Sequence, residues 1–356
     1  MPRIEAVATA VPSHQVTQED SVKLARHFFQ DAFPDIDRLL HVFAHSKIRK
    51  RHFCMPMDWF SDNRLFTEKN RLYIEHAETL ATEAALRCLE KAGVSAGAVD
   101  CLIFVSSTGI ATPSLDSRLV NRLGLRTDIT RLPLWGLGCA GGAMGLSRAC
   151  EYTAAYPAKR VLLVSVELCG LTFIRQDMSK SNLVATCLFG DGAAAVLVEG
   201  DQVETLRSSG APRLQFCGAR TTTWPDTLDV MGWEVTEPGL KVIFSRDIPT
   251  IIHQAMKENV ESFLSPYDTT VERLRHFILH PGGTKVLSAY QESLGISSDA
   301  TRLSEEVLHD FGNMSSPTVL FVLEKSMEQA WETGERGLLA ALGPGFSSEL
   351  LLLEAR

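Results

Sequence analysis

The 356-residue sequence lacks the paired cysteines of structural metal sites and disulfide scaffolds. Its eight cysteines are spread from residue 54 to residue 217, and no two of them form a Cys-x-x-Cys pair. This scatter argues against a structural zinc site and predicts reduced thiols, which are typical of a cytoplasmic protein. The N-terminus also lacks an apolar signal-peptide core, and no apolar stretch reaches membrane-spanning length. We therefore expect a cytoplasmic protein that does not insert stably into membranes.

An excess of positive charge is absent as well. The chain has 35 Lys and Arg against 43 Asp and Glu, a net charge of −8, which argues against a nucleic-acid partner. The only dense basic run is residues 47–51, which is either a solvated patch or a binding site for a phosphorylated cofactor. The composition is that of an ordinary globular protein, and the chain is long enough for two domains or one large doubled domain.

Apolar β-branched runs alternate with helical patterns along the chain, which predicts an α/β fold. The predicted strands are 4–8, 101–106, 132–137, 161–167, 193–199, 277–280, 337–342 and 349–354. The predicted helices are 18–29, 73–92, 115–123, 143–156, 249–263, 287–294, 303–311 and 319–333.

The second half of the sequence repeats the plan of the first. In each half a glycine turn is followed by a helix, a strand, a Gly-x-Gly turn and a strand that ends in glutamate. The order predicts duplicated βαβαβ layers with an active site where the two halves meet. We place the halves at residues 1–205 and 206–356, with the join inside the Pro- and Gly-containing stretch 199–212.

Cys139 lies among four glycines, after a strand-like run and before an Ala-rich helix. Three interpretations are open. A cysteine is most often a small core residue. The glycines also spell Gly-x-Gly-x-x-Gly, a dinucleotide-binding pattern, with Glu167 as the acid for a ribose. Alternatively, the helix start stabilises a reactive thiolate, and the glycines let a substrate approach closely.

His280 and Asn313 favour the reactive thiolate. His280 ends a buried strand, and Asn313 directly precedes a helix. Alone, His280 is better explained as a histidine that is hydrogen-bonded to the backbone, and Asn313 as a helix N-cap. Together with Cys139, His280 can form a thiolate–imidazolium pair, and His280 with Asn313 can stabilise the enolate left when a carboxylated thioester loses carbon dioxide. A dinucleotide site leaves both residues unexplained, so an NAD-dependent dehydrogenase is the more distant alternative.

Five sequence blocks in this order resemble the signature of type III polyketide synthases, the chalcone synthase family. The blocks are Gly138-Cys139-Ala140-Gly141-Gly142, Leu188-Phe189-Gly190-Asp191-Gly192, His280-Pro281-Gly282-Gly283, Gly312-Asn313-Met314-Ser315-Ser316 and Gly343-Pro344-Gly345. The resemblance implies a thiolase-like αβαβα sandwich, a homodimer, and condensation of malonyl-CoA onto an acyl-CoA starter without a metal or a further cofactor. It assigns catalysis to Cys139, His280 and Asn313.

The resemblance also assigns residues to the substrate pocket. Phe189 matches an aromatic gatekeeper, whereas Val242 and Trp233 replace the Phe and Gly of plant members. Thr112 matches a residue that reaches into the partner subunit's cavity, and Gly345 shapes the closing loop. The remaining cavity-lining matches are Ser107, Cys169 and Thr172, and the candidates for binding the CoA phosphates are Arg49, Arg51 and Lys285.

Val242 and Trp233 point away from a chalcone product. Residues 231–233 and 239–247 resemble bacterial members that convert long-chain fatty acyl-CoA into alkylpyrones or alkylresorcinols. A ketoacyl synthase of the same fold, which would use an acyl carrier protein, stays an alternative, as does a non-catalytic binding protein. The sequence leaves open the starter length, the number of extensions and the type of ring.

Overall fold

Among the residues that the structure describes, nine strands form one long mixed sheet, and two small two-stranded sheets lie outside it. The structure is a computed structural model that describes residues 1–204, 213–245 and 247–356. The strands are β1 (Arg3–Ala10), β2 (His14–Thr17), β3 (Lys50–Phe53), β4 (Cys101–Val105), β5 (Thr130–Leu134), β6 (Arg160–Leu168), β7 (Asp191–Glu199), β8 (Leu214–Thr223), β9 (Met231–Thr236), β10 (Gly239–Phe244), β11 (His276–Leu279), β12 (Arg336–Gly343) and β13 (Ser347–Ala355).

Ten α-helices of the described residues cover the sheet. They are α1 (Gln18–Phe29), α2 (Ile36–His45), α3 (Phe66–Ala92), α4 (Leu115–Leu123), α5 (Gly141–Ala155), α6 (Lys180–Leu188), α7 (Ile248–Leu264), α8 (Thr284–Leu294), α9 (Arg302–Phe311) and α10 (Thr318–Met327). In the described part of the chain, none of these helices combines the length and the apolar character needed to cross a membrane.

The strand order β11-β12-β13-β8-β1-β7-β6-β4-β5 contains the same arrangement twice. In the first half β4 and β6 are parallel, and β7 and β1 follow antiparallel. In the second half β11 and β12 are parallel, and β13 and β8 follow antiparallel. In the described part of the chain, the two halves of the sheet meet where β1 pairs with β8 over two residues. The predicted duplication is confirmed, while the boundary predicted between residues 205 and 206 lies outside the described residues.

Three separate apolar cores show that the fold has five layers. Successive residues of a strand point to opposite faces, so Leu102 packs with α3 on the outside and Ile103 packs with α5 on the inside. In the second half Leu338 packs with α7 on the outside and Leu339 packs with α10 on the inside. Helices α5 and α10 therefore form a shared middle layer, and the predicted αβαβα sandwich is confirmed.

Most elements of the sandwich match the predictions, but β8, a ten-residue strand of the main sheet, and smaller elements around the sandwich were not predicted. The helix predicted at 319–333 ends at Met327, and the strand predicted at 132–137 is β5, shifted toward the N-terminus. The elements not predicted are α2, α6, β2, β3, β8 and the hairpin of β9 and β10. Most of these are short, and several carry polar or glycine residues that obscure their periodicity.

Candidate active site

Segments from both halves bring Cys139 and Asn313 together, and the loop that begins at His280 is bonded to Asn313 through Gly282. Cys139 lies in the 3₁₀ turn Gly138–Ala140, at the amino end of α5. His280 directly follows β11, and Asn313 lies two residues after the end of α9. The Asn313 backbone joins the halves, because its N–H donates to the Leu188 carbonyl at 2.8 Å and its carbonyl accepts from the Gly190 N–H at 3.0 Å.

The Asn313 side chain links the cysteine loop to the histidine loop. Its Oδ1 lies 4.0 Å from the Cys139 Sγ, and its Nδ2 donates to the Gly282 carbonyl at 3.2 Å. The Ser315 N–H donates to the same Oδ1 at 2.8 Å and so fixes the direction of the amide. Buried His280 has no hydrogen-bond partner for either ring nitrogen among the described residues, so both nitrogens can bind a substrate group.

Ser315 is a site residue that the sequence analysis missed. Its Oγ lies 3.6 Å from the Cys139 Sγ, closer than the Asn313 Oδ1. Its φ of 58° is in the left-handed region, which is rare for a residue with a side chain. The signal in the sequence was a serine two residues after Asn313, in a turn that precedes a helix.

Burial controls the protonation of the two titratable groups in the site. It raises the pKa of the Cys139 thiol to about 11, although the hydrogen bond with Ser315 lowers that pKa in part. Burial also lowers the pKa of His280 to about 3. Both directions favour a neutral thiol beside a neutral imidazole in the free protein, which is opposite to the thiolate–imidazolium pair expected from the sequence.

We expect alkylation of Cys139 by iodoacetamide to accelerate about tenfold for each unit of pH between 7 and 9. The thiolate is the reactive form, and its fraction grows tenfold per unit while the pH stays below the raised pKa of about 11. The measurement is the second-order rate at the Cys139 peptide by mass spectrometry, with half-buried Cys217 as the internal comparison. A rate that is already constant at pH 7 would contradict this and establish the preformed ion pair instead.

Glu167 lies inside the protein, between the two halves, and cannot bind a ribose. It is fully buried and accepts hydrogen bonds from the Ser107 N–H at 2.9 Å, the Thr108 hydroxyl at 2.8 Å and the Ser316 hydroxyl at 2.8 Å. Burial raises the pKa of Glu167 to about 7, and these hydrogen bonds oppose that rise. The dinucleotide interpretation of this glutamate is therefore wrong.

The glycines around Cys139 serve the packing of the halves. A Cβ atom on Gly138 would lie 2.7 Å from the Pro344 ring, and one on Gly142 would lie 2.1 Å from the Ser316 carbonyl oxygen. A Cβ on Gly141 would lie 2.7 Å from the Val105 side chain. From the sequence we expected these glycines to let a substrate approach closely. At these three positions an added Cβ would instead collide with other parts of the protein.

Four of the predicted pocket residues line one cavity, which occupies about 50 Å³. They are Phe189, Val242, Cys169 and Thr172. Trp233 pairs with Val242 across the β9–β10 hairpin, and its ring centroid lies 6.1 Å from that of Phe189. The rest of the wall is mainly apolar, with Leu24, Phe53, Met57, Phe60, Phe173 and Ile174. Because ligand pockets usually hold about 300–1,000 Å³, a long acyl chain requires this cavity to widen.

The other predicted pocket residues lie around Cys139 and at the surface. Ser107 is next to the cysteine turn, because its Oγ accepts from the Gly138 N–H at 3.2 Å. Gly345 has a φ of 70° in the loop between β12 and β13, and its carbonyl accepts from the Thr227 hydroxyl at 3.1 Å. Thr112 is exposed on the loop between β4 and α4.

The three basic residues predicted to bind CoA have different environments. Lys285 is exposed in the first turn of α8, and exposed Arg49 pairs with Asp310 at 3.1 Å. Both can reach a phosphate from solvent. Arg51, in contrast, is fully buried.

The prediction that Arg51 contacts a CoA phosphate is wrong. Its guanidinium donates to the Thr186 and Phe189 carbonyls, both at 2.7 Å, and to the Ser21 hydroxyl at 2.6 Å. Its stem packs against Gly312, where a Cβ would lie 2.7 Å from the Arg51 side chain. Arg51 therefore fixes the backbone that carries Phe189 and the glycine that precedes Asn313.

A five-layer sandwich of two similar halves, with a cysteine, a histidine and an asparagine between them, places this protein in the thiolase-like class. Residues 2–202 match the family model for the N-terminal domain of chalcone and stilbene synthases, and residues 215–355 match the model for the C-terminal domain. The chain therefore belongs to the chalcone and stilbene synthase family, the type III polyketide synthases.

Relatives match this chain over almost its whole length. A chalcone synthase-like protein of Bacillus subtilis (strain 168) is 43% identical over 98% of this chain and 97% of its own. The 1,3,6,8-tetrahydroxynaphthalene synthase of Streptomyces peucetius subsp. caesius is 36% identical over 98% and 92%. An alpha-pyrone synthesis polyketide synthase-like protein of Mycobacterium tuberculosis (strain H37Rv) is 29% identical over 99% and 90%.

Solved structures share the fold along the entire chain. The 1,3,6,8-tetrahydroxynaphthalene synthase of Streptomyces coelicolor A3(2), described as a bacterial type III polyketide synthase, superimposes with a TM-score of 0.92 at 28% identity and 99% coverage of both chains. CsyB, solved in complex with CoA-SH, superimposes with a TM-score of 0.91 at 25% identity and 100% coverage of both. The resemblance drawn from the sequence blocks is thus confirmed at the level of family and fold.

Proposed function

We propose that this polyketide synthase extends a long-chain fatty acyl-CoA starter with malonyl-CoA and cyclises the product to an alkylpyrone or alkylresorcinol. The observation that supports the chemistry is the contact of Cys139 with Asn313 between the two halves, with Asn313 bonded to the loop of a buried His280 whose ring nitrogens have no partner among the described residues. Each residue supplies what one step of a decarboxylative condensation needs.

In the first step Cys139 takes the acyl group from CoA. The Sγ forms a bond to the thioester carbon while the bond from that carbon to the CoA sulfur breaks. His280, neutral in the free site, accepts the thiol proton during the attack and passes it to the departing CoA thiolate. The step yields an acyl-Cys139 thioester and free CoA.

In the second step malonyl-CoA loses carbon dioxide, and the electron pair of the broken bond becomes an enolate. Hydrogen bonds to the enolate oxygen from the Asn313 Nδ2 and from a ring N–H of His280 stabilise that charge in a site withdrawn from water. The enolate carbon attacks the acyl carbonyl, and the Cys139 thiolate leaves. Reloading of the extended chain onto Cys139 allows further rounds before ring closure.

The choice of a fatty acyl starter rests on the cavity. Its lining is mainly apolar, and Val242 leaves more room at its position than the Phe of plant members would. Trp233 beside Phe189 fills space on the hairpin side, where a planar aromatic intermediate would otherwise fold. The Mycobacterium tuberculosis relative, named for alpha-pyrone synthesis, supports a pyrone as one product class.

The CoA moiety and a second subunit complete the proposal. We assign the CoA phosphates to Lys285 and Arg49, which are both exposed to solvent.

Strand β5 is an edge strand of the sheet, and exposed Leu132 on it lies in the same region of the chain as exposed Trp135. A second copy covering this edge would bury both side chains and bring Thr112 to its partner. Light scattering should then give twice the mass of the chain, and a monomer mass would exclude this dimer.

The test is mass spectrometry of products formed from a panel of acyl-CoA starters with carbon-labelled malonyl-CoA. We expect pyrone or resorcinol masses that carry two or three labelled acetate units, with long-chain starters favoured over aromatic ones. A parallel arm supplies malonyl thioester on an acyl carrier protein in place of malonyl-CoA. Products only in that arm would contradict the proposal and establish the ketoacyl synthase alternative.

A further inference from the structure

The β9–β10 hairpin carries two of the pocket residues but does not belong to the main sheet. Among the described residues its two strands pair with each other and with no further strand, and Val242 lies directly opposite Trp233. A two-stranded hairpin is marginally stable on its own, so its position depends on what it is anchored to. The width of the cavity beside Val242 therefore depends on the anchoring of the hairpin.

A buried lysine on α3 provides one such anchor. Lys69 lies in the first turns of α3 and is only 4% exposed. Its Nζ donates to the Phe173 carbonyl at 2.6 Å and to the Pro238 carbonyl at 3.0 Å. Pro238 lies in the two-residue turn that joins β9 to β10, and Phe173 lines the cavity. We call these two hydrogen bonds the Lys69 bridge.

The Lys69 bridge holds a cation with neutral acceptors only. No carboxylate lies within ion-pair distance of Lys69 among the residues that the structure describes, and burial lowers its pKa to about 8. Glu68, the preceding residue on α3, pairs with Arg64 at 2.7 Å instead. A buried ammonium held by carbonyls contributes less to stability than an apolar side chain of the same length would, because the nearby charge of Glu68 offsets its desolvation only in part. A positional role explains this lysine better than a role in stability.

The turn of the hairpin lies close to the ammonium. A Cβ on Gly239, the residue after Pro238, would lie 3.5 Å from the Lys69 Nζ. Leu240 of β10 is buried, whereas Val235 opposite it is 64% exposed. At this pair β10 thus lies against the protein and β9 lies toward solvent, and the Lys69 bridge fixes the turn between them.

We propose that Lys69 is a positioning residue that sets the width of the acyl cavity and hence the length of starter the protein accepts. This inference rests on the proposed function, since it concerns the same cavity. With the Lys69 bridge intact, the cavity of about 50 Å³ opens only as far as the anchored turn allows. Without it, the hairpin with Val242 and Trp233 can move outward, and longer acyl chains gain room.

Lys69→Met tests this role, because methionine keeps the length of the side chain and removes the donors. We expect the ratio of kcat/KM for an 18-carbon starter to that for an 8-carbon starter to rise about tenfold, the size of effect that loss of charge-assisted hydrogen bonds gives. The change should lie mainly in KM, and the alkylation rate of Cys139 should not change. Amide hydrogen exchange of residues 231–244 should become faster.

Lys91→Met is the matched control on the same helix. Lys91 is exposed and pairs with Glu324 at 3.3 Å, so its loss should change neither the starter ratio nor the hairpin exchange. Lys69→Arg keeps a charged donor and should retain the wild-type starter ratio even if it lowers thermal stability. An unchanged starter ratio and unchanged hairpin exchange in folded Lys69→Met would overturn the inference. If the wild-type protein forms no product from any acyl-CoA, the proposed function fails, while hairpin exchange still tests the anchor.

Discussion

Cys139→Ala is expected to lower polyketide formation by at least about 10³-fold, because the acyl chain then loses its carrier. The thiol of Cys169 also lines the cavity, but burial raises its pKa well above the usual value and keeps it protonated. Malonyl-CoA decarboxylation should persist in this variant, since that step depends on His280 and Asn313 rather than on the thiol. The two reactions are separated by measuring labelled carbon dioxide and labelled product from the same incubation. Product formation by Cys139→Ala would be incompatible with the proposed function.

Two further variants give this result its controls. Cys217→Ala removes the other half-buried thiol, which lies on β8, and should leave both reactions at wild-type rates. His280→Ala should lose both reactions, because the enolate then lacks one of its two donors and the thiol lacks its proton acceptor. Loss of both reactions in Cys139→Ala as well would place the thiol in decarboxylation and contradict the division of roles.

Gly142→Ala is expected to destabilise the protein by about 3 kcal/mol or more. The added methyl carbon would lie 2.1 Å from the Ser316 carbonyl oxygen, and backbone on both sides must shift to relieve the overlap. The contact joins the first turn of α5 to the segment that leads into α10, so the strain lies in the middle layer of the sandwich. Urea denaturation measures the loss as a lower midpoint at an unchanged slope.

Gly97→Ala is the matched control for this substitution. No atom lies within 4 Å of the position that its Cβ would take, and its φ is not in the left-handed region. Its stability should stay within about 0.5 kcal/mol of the wild type. Equal stability of the two variants would show that the middle layer yields to an added methyl group.

The candidate site could be predicted because each of its residues is marked by local sequence. Cys139 stands between glycines at a helix start, His280 ends an apolar run, and Asn313 follows a glycine before a helix. Such positions are determined by neighbours in the chain, which a sequence displays directly. The repeat of the same pattern in both halves then indicated that they meet.

The errors concern residues whose environment comes from distant parts of the chain. Arg51 belongs to a basic run that looks like a surface patch, but β3 turns this side chain inward to the carbonyls of residues 186 and 189. The sequence around Lys69 predicts a solvated helix residue, whereas in the structure its Nζ donates to the carbonyl of Pro238, which is distant in the chain. The hairpin itself is short and contains two glycines, so its alternation is weak. Burial of a charged side chain is a tertiary property and has no local signal.

The backbone hydrogen bonds of Asn313 to Leu188 and Gly190 have a consequence for how variants are interpreted. Neither half contains all three of the residues proposed to react, so a fragment of either half is chemically incomplete, and catalysis must follow docking of the halves during folding. Any substitution that weakens the contact between the halves lowers the fraction of correctly assembled molecules. The resulting loss of activity then looks like the loss of a catalytic group. For a substitution far from Cys139, the measured activity therefore has to be divided by the folded fraction of that variant before any loss is ascribed to mechanism.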